Sequence, residues 1–369
     1  MRVLHFYKTF LPDTTGGVEQ VIRQLCLGGR QYGIESRVLT LSRKGGAREV
    51  EVDGIPVTRL PQSFEIASCP MAWRGIGAYR RLARWAEVIH LHYPWPFGDL
   101  VTLLGPRRPV VITYHSDVVA QQRLMPLYQP LKNRLFERAF RVVATSPQYA
   151  MGSAVLRRWE SKLDVVPLGI DPDSYPQPDP HRLAAWQARL GEGFFLFVGV
   201  FRHYKGLPFL LDAVKDTGLQ VAMAGEGPLW NGVAEQVRGW PNVHLLGRVS
   251  DEDKMALLSL CRGIVFPSHL RAEAFGVFLI EAAMAGKPMI SCDIGTGSSY
   301  VNVDGETGLV VPPQNPLALR NAMQRLADDA PLAAALGRGA ARRFDELFRM
   351  TKVNAAYAEI YRAACKASA

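Results

Sequence analysis

Two carboxylates, Glu273 and Glu281, stand eight residues apart around Ala274-Phe275-Gly276, at the head of a very apolar segment. Glu281 falls among Val277, Phe278, Leu279, Ile280, Ala282 and Ala283, where a bare carboxylate is costly unless it is paired or hydrogen-bonded. Its position therefore demands a specific partner. Glu273 precedes the helix that this segment predicts, beside the N–H groups of Ala274, Phe275 and Gly276, which would point outward without acceptors. A carboxylate next to free donors suits a ligand carrying both hydroxyls and an anion, such as a sugar on a diphosphate. The plainer alternative makes Glu273 a first-turn partner of the helix dipole and Glu281 half of a salt bridge.

Four other clusters follow strand-like segments. Gly16 and Gly17 open the first helix, where paired glycines let backbone N–H groups approach an anion or simply make a tight turn. His115 closes the apolar run 110–114, placed to hydrogen-bond a sugar or phosphate or to serve the structure alone. Arg202 and Lys205 lie three residues apart in Arg202-His203-Tyr204-Lys205-Gly206. The pair suits a diphosphate, with the guanidinium bidentate and the ammonium a point charge, or else forms a solvated loop. Gly225, in Ala224-Gly225-Glu226-Gly227-Pro228, and Arg248 with Val249 belong to loops that could wall a nucleobase. Trp230 stands where a dinucleotide fingerprint needs its third glycine, so that fingerprint fails. No CxxC metal signal and no zinc-finger, RNP or basic-zipper pattern appears, so no structural zinc site is expected and nucleic acid is not the expected partner.

The elements that must position these residues are short apolar runs alternating with helical patterns. Strands are expected at 3–7, 36–41, 88–92, 110–114, 142–144 and 163–166, then at 195–200, 219–224, 243–245, 263–266, 288–291 and 309–311. Helices are expected at 18–32, 181–190, 207–214, 252–260, 317–327, 331–348 and 350–364. Repeated β-α alternation predicts parallel sheets with right-handed crossovers in two doubly wound α/β domains, whose ligands bind beyond the carboxyl ends of the strands. The boundary falls after Ile170, before a Pro-rich stretch at 173–179. The expected division is 1–170, 171–348 and a terminal helix over 349–369.

A chain of 369 residues with 48% apolar and 21% charged residues fits two ordinary globular domains. Five scattered cysteines argue against a disulfide framework and for a reducing compartment. The first residues read as a strand and not as a signal peptide, and no apolar run is long enough to span a bilayer, so a cytoplasmic protein is expected. The first 170 residues hold 23 Lys and Arg against 13 Asp and Glu and so carry the whole positive excess. Residues 73–85 mix Arg74, Arg80, Arg81 and Arg84 with Trp73, Tyr79 and Trp85, and Lys132, Arg134, Arg138 and Arg141 follow a second helical stretch. Both read as contacts to an anionic membrane surface or as ordinary solvated helix faces.

These pieces, in this order, resemble the retaining glycosyltransferases of family 4, which have the GT-B fold of two Rossmann-like domains facing an interdomain cleft. Glu273 to Glu281 matches the family's E-x7-E motif; Gly16-Gly17, His115, Lys205-Gly206, Ala224–Pro228, Val166–Asp171 and Asp304–Pro312 match others. The resemblance implies that Glu273 bonds the donor-sugar hydroxyls, that Phe275, Gly276, Arg202 and Lys205 hold the diphosphate, and that Glu281 binds the ribose. It places Gly17 under the leaving phosphate, His115 by the reacting carbon, and Arg248 and Val249 at the base. It further implies a metal-independent hexosyltransferase with no cofactor beyond a nucleotide-sugar donor, GDP-linked in preference to UDP-linked. The variant looks like mannosyl- or rhamnosyltransferases of bacterial surface-polysaccharide pathways such as lipopolysaccharide O-antigen, acting on a lipid-linked or saccharide acceptor at the inner membrane face. Two departures stand out: Val200 follows Gly199 where the family has Arg, and Tyr300 replaces a common Glu. A sugar-nucleotide epimerase on the same fold and a non-catalytic basic module binding membrane or nucleic acid are the rivals.

Overall fold

The computed structural model describes every residue except 15, 45–47, 68, 119–124 and 368–369. The chain divides into two compact units, Met1–Gly169 together with the segment from Met350 onward, and Ile170–Arg349. In the first unit the order is β1 (Arg2–Phe6), α1 (Gly17–Gly29), β2 (Glu35–Ser42), β3 (Glu49–Val52), β4 (Ile55–Pro61), β5 (Phe64–Ile66), β6 (Cys69–Met71), α2 (Gly75–Trp85), β7 (Val88–Tyr93), α3 (Pro96–Leu103), β8 (Val110–Tyr114), α4 (Met125–Arg138), β9 (Arg141–Ala144), α5 (Pro147–Gly152), α6 (Ala154–Arg158) and β10 (Leu163–Val165). Its main sheet runs β10-β9-β8-β7-β1-β2-β4-β3, parallel except where β3 turns back on β4. Strand order reverses at β1, so the gap beyond the carboxyl ends of β1 and β7 is a topological switch point.

The second unit contains α7 (Pro180–Leu190), β11 (Phe195–Val198), α8 (Leu207–Val214), β12 (Val221–Ala224), α9 (Trp230–Gln236), β13 (Val243–Gly247), α10 (Asp251–Leu260), β14 (Gly263–Phe266), α11 (Val277–Met284), β15 (Met289–Cys292), α12 (Ser298–Val301), β16 (Gly308–Val311), α13 (Pro316–Asp328) and α14 (Ala330–Arg343). The six strands are all parallel, in the order β13-β12-β11-β14-β15-β16, with the switch point between β11 and β14. The terminal helix α15 (Met350–Lys366) belongs to the first unit, where it packs on α1, β7 and β8. Both units are therefore doubly wound and Rossmann-like.

Local chemistry explains the boundaries. Asp179, Ser250, Asn315 and Asp329 accept backbone N–H bonds at the starts of α7, α10, α13 and α14, three of them with Pro in the first turn. The parallel strands are buried on both faces; Val3, Leu4, Val38, Ile89, Ile112, Leu196, Ile264 and Ile290 have no exposed surface.

Each strand expected from the sequence forms, but four others were not foreseen. Asp53 and Gly54 make a two-residue turn with φ of 51° and 74°, pairing Val52 with Ile55. Asp-Gly between alternating apolar residues is the hairpin signal for β3 and β4, and Pro56 and Arg59 obscured it. The second pair, β5 and β6, is a three-residue ribbon too short to show periodicity. The helix expected over 331–348 stops at Arg343 and ends in a wide turn, Phe344–Phe348.

The membrane-facing reading of the two basic helices needs correction in part. In α2 the apolar face is spent on the first unit's own core, with Ala78, Tyr79, Leu82 and Ala83 all buried, so it is not free to enter a bilayer. Lys132 in α4 is also buried, and burial lowers its pKa. Arg138 donates to the carbonyls of Thr102, Leu103 and Pro106, and Arg141 pairs with Asp164 at 3.3 Å. All five cysteines are free, and among the described residues no helix is long and apolar enough to cross a membrane.

Candidate active site

The two loops that leave the switch point of the second sheet carry the strongest chemistry. The loop after β11 places Lys205 against Glu273 from the loop after β14, with Nζ 2.5 Å from Oε2. Both side chains are buried, and the Ser268 hydroxyl donates to the same oxygen at 3.1 Å. The other oxygen of Glu273, Oε1, accepts no bond among the described residues. The ammonium also lies 4.8 Å from the Phe266 ring centre, so its stem is walled by aromatic carbon. Gly206 makes this turn possible: its φ is 72°, and a Cβ there would sit 2.0 Å from the Pro267 carbonyl oxygen.

Next in the chain, Ala274, Phe275 and Gly276 run into α11, whose first residue is Val277. Their N–H groups donate to no acceptor among the described residues, as an anion-binding helix start requires. The Ala274 carbonyl takes the Gly297 N–H at 2.9 Å, which pins this segment to the loop after β15. Glu281 lies one turn into α11 with a different partner: its Oε1 accepts from Lys254 Nζ and from the Tyr175 hydroxyl, both at 2.8 Å. Burial works against the Lys254 charge, yet Glu281 and Asp251 hold its pKa above the ordinary value. The Tyr175 phenol is pushed up by burial and by Glu281. This is the partner that the apolar setting of Glu281 demanded.

Two further loops of the second unit converge. Gly225 donates its N–H to the Gly247 carbonyl at 2.7 Å, and a Cβ at 225 would meet the Gly199 carbonyl oxygen at 2.0 Å. Arg248 Nε lies 3.1 Å from Glu226 Oε2 on the exposed rim, with Val249 half-buried beside it.

In the first unit, Gly16 caps α1 and Gly17 begins it. The buried Glu19 carboxylate accepts from the Thr14 hydroxyl at 2.7 Å, and a Cβ on Gly16 would lie 2.4 Å from its Oε2. An acid thus already sits at this helix start, and Gly16 leaves room for it. His115 follows β8, buried, with Nε2 3.0 Å from Nδ1 of His92. Asp117 fixes the loop beyond it, accepting from Tyr114, Tyr149 and Ser153 hydroxyls at 2.7, 3.1 and 2.8 Å.

Residues 15–174 match Glycosyltransferase Family 4, and residues 182–343 match Glycosyl transferases group 1. A D-rhamnosyltransferase, WbpZ, of Pseudomonas aeruginosa is 50% identical, covering 94% of this chain and 92% of that one. The chain belongs to glycosyltransferase family 4. An O-antigen chain mannosyltransferase C of Escherichia coli is 43% identical over 98% of both chains. The crystal structure of Anabaena HepE with UDP and glucose superposes with a TM-score of 0.77 at 17% identity, over 98% of this chain and 100% of that one, which fixes the GT-B fold. The protein is a glycosyltransferase, and its relatives give the epimerase and the non-catalytic module no support.

Within this family 4 protein, the residues singled out from sequence fall into distinct groups. Lys205, Glu273 and the 274–276 amides come together around one switch point. Arg202 stays exposed, with no side-chain partner among the described residues. Glu281 stands apart, bound to Lys254 and Tyr175. Tyr300, the departure from the family pattern, packs edge-on against Phe348, ring centres 5.7 Å apart, and its carbonyl is gripped by Arg343 at 2.7 Å. The sequence reading missed His5, His90 and His92, although His90-Leu91-His92 alternates within a strand and so sends both imidazoles to one face. Lys254 and Tyr175 were also missed, because pairings across separate elements carry no local signal.

Proposed function

We propose that this glycosyltransferase moves a mannose- or rhamnose-type hexose from a GDP-linked donor to a hydroxyl of a lipid-linked or polysaccharide acceptor, with retention of anomeric configuration. The observation that carries the proposal is the buried Lys205–Glu273 pair beside the unpartnered amides of residues 274–276. A diphosphate offers oxygens to Lys205, to Arg202 and to the open amides, while the free Oε1 of Glu273 accepts a sugar hydroxyl. The activities of the two relatives named above, a rhamnosyl- and a mannosyltransferase, support the choice of sugar. HepE, of the same fold, was crystallised with UDP and glucose, which supports a nucleotide-sugar donor and leaves the base to experiment.

In the proposed reaction the bond from the anomeric carbon to the diphosphate oxygen breaks, and the acceptor oxygen bonds to that carbon on the same face. The acceptor's proton passes to the departing phosphate oxygen. Charge that builds on the diphosphate is met by Lys205, Arg202 and the helix start, groups that stabilise it more as it leaves than before. Glu281 is assigned to the ribose through the oxygen not used by Lys254 and Tyr175, Arg248, Val249 and Gly225 to the base, Gly16 and Gly17 to the leaving phosphate, and His115 to the donor sugar.

We further assign the basic first unit to an anionic membrane surface on the cytoplasmic side. Leu100, Leu104 and Leu127 are 40%, 49% and 85% exposed. They line one open groove whose cations, Arg107, Arg108, Arg134 and Arg138, outnumber its acids, Glu87 and Glu137.

A thermal-shift series with GDP, UDP and ADP, followed by transfer from GDP-mannose and GDP-rhamnose, tests the donor. GDP is expected to raise the unfolding midpoint most. Stabilisation by UDP or ADP alone would refute the GDP assignment, and no response to any nucleotide would refute the site.

A further inference from the structure

One face of the first sheet carries an unbroken group of imidazoles and hydroxyls. His5 on β1 pairs in register with His90 on β7, and His92 pairs with Thr113 on β8, two residues before His115. His5 Nδ1 lies 3.3 Å from His92 Nε2, and His92 Nδ1 lies 3.0 Å from His115 Nε2. Beside this chain, His90 has both nitrogens engaged, Nδ1 by the Tyr361 hydroxyl at 2.6 Å and Nε2 by Thr113 at 2.7 Å. The Thr113 hydroxyl in turn meets Tyr357 at 2.6 Å, so α15 closes the group from above. All of these side chains are buried. Burial alone lowers the pKa of His5 and of His115 to about 3, and burial with the neighbouring imidazoles lowers those of His90 and His92 well below the ordinary value.

Proton counting constrains such a chain. A neutral imidazole has one N–H, so His92 donates in one of its two bridges and accepts in the other. Both bridges must therefore point the same way. In one arrangement His5 donates to His92 and His92 donates to His115, leaving the His115 proton on Nδ1. In the other every bond is reversed, and Nδ1 of His115 is bare.

We propose that His92, backed by His5, is a positioning residue that holds the His115 proton on Nδ1, so that His115 presents a donor and not a lone pair to the nucleotide sugar. This rests on the assignment of His115 to the donor. Placed beside the reacting carbon, His115 also faces the oxygen that leaves with the diphosphate: a sugar hydroxyl accepts either arrangement, but that oxygen accepts only a donor, and a bare nitrogen would repel it. Bound donor therefore selects the polarity, and the buried chain transmits the choice three strands deep. The nitrogens of His5, His90 and His92 also lie within 4.8 Å of one another, a spacing that an ion such as zinc could span. The two hydroxyls already on His90 favour the hydrogen-bonded network.

The test uses the full chain labelled with 15N-histidine, with each imidazole assigned from single His→Asn variants. In the presence of GDP, nitrogen shifts are expected to show N–H at Nδ1 and a bare Nε2 for His115, and N–H at Nδ1 of His92. A His115 proton on Nε2, or a charged His115 at pH 7, overturns the proposal, as does stoichiometric zinc in the purified protein. In kinetics, His92→Leu is expected to lower kcat about tenfold, the worth of roughly one hydrogen bond. His92→Asn, whose amide N–H replaces Nδ1–H, is expected to restore most of that loss. Equal impairment of both variants overturns the positioning role. If His115→Ala turns over like the wild type, the assignment of His115 to the donor has failed, whatever the nitrogen shifts show.

Discussion

Glu273 and Lys205 neutralise each other in a setting that neither could enter alone. Replacing one strands the other, so stability and activity must be read together. Glu273→Gln keeps the shape and an acceptor oxygen but loses the charge. Its kcat for transfer is expected to fall about 100- to 1,000-fold, as when one preorganised electrostatic contact is removed. Near wild-type turnover by chromatographic assay would contradict the role. Gly206→Ala acts by another route: the positive φ costs roughly 1–3 kcal/mol, and the clash with Pro267 displaces Lys205. Denaturant unfolding should register that loss, and GDP binding should weaken with it. At this scale much was legible. Glu281 among six apolar neighbours announced a buried acid in need of a partner, and Arg202 with Lys205 announced a cationic loop suited to a diphosphate. That Lys254 was the partner, 27 residues away on another helix, was not legible, because only folding sets the distance.

At the scale of elements, strand ends decide where chemistry collects. The loops that follow β11 and β14 meet because those strands are neighbours across the switch point, although Lys205 and Glu273 are 68 residues apart. Alternation of apolar runs and helices revealed twelve of the thirteen parallel-paired strands among the described residues, but the β3–β4 hairpin was hidden by Pro56 and by charges on its exposed face. Helix α2 shows how an amphipathic pattern misleads: mixed Arg and aromatic residues look the same whether the apolar face meets lipid or the protein's own sheet. The groove that holds Leu127 is a better candidate for the bilayer. Leu127→Glu is expected to change stability by no more than about 0.5 kcal/mol, as at an ordinary surface position. It should also reduce sedimentation with vesicles containing anionic lipid, and unchanged co-sedimentation would refute that surface.

For the whole molecule, the buried imidazoles set a pH dependence. His5, His90, His92 and His115 all have folded pKa values below 6.5, with burial the first cause. As pH falls below about 6.5 the unfolded chain takes up protons on these groups while the folded chain does not, so their contribution is complete above that pH and is lost on acidification. Asp99 acts in the opposite sense: burial raises its folded pKa to about 7, so it gains its proton on the folded chain first and favours folding as pH drops toward the carboxylate range. The four buried histidines outweigh Asp99, and the thermal midpoint is expected to decline steadily from pH 6.5 to 5. A flat or rising profile would contradict the buried neutral histidines.

Because α15 completes the first unit, synthesis and assembly run out of order. The ribosome delivers residues 1–169 first, yet Tyr357 and Tyr361, which cover the histidine-bearing face, emerge only after all of Ile170–Arg349. The later-made portion can finish folding while the earlier one still waits for its cover. A fragment ending at Gly169 should thus be poorly soluble when expressed by itself, and co-expression with a peptide spanning Met350–Lys366 should rescue it.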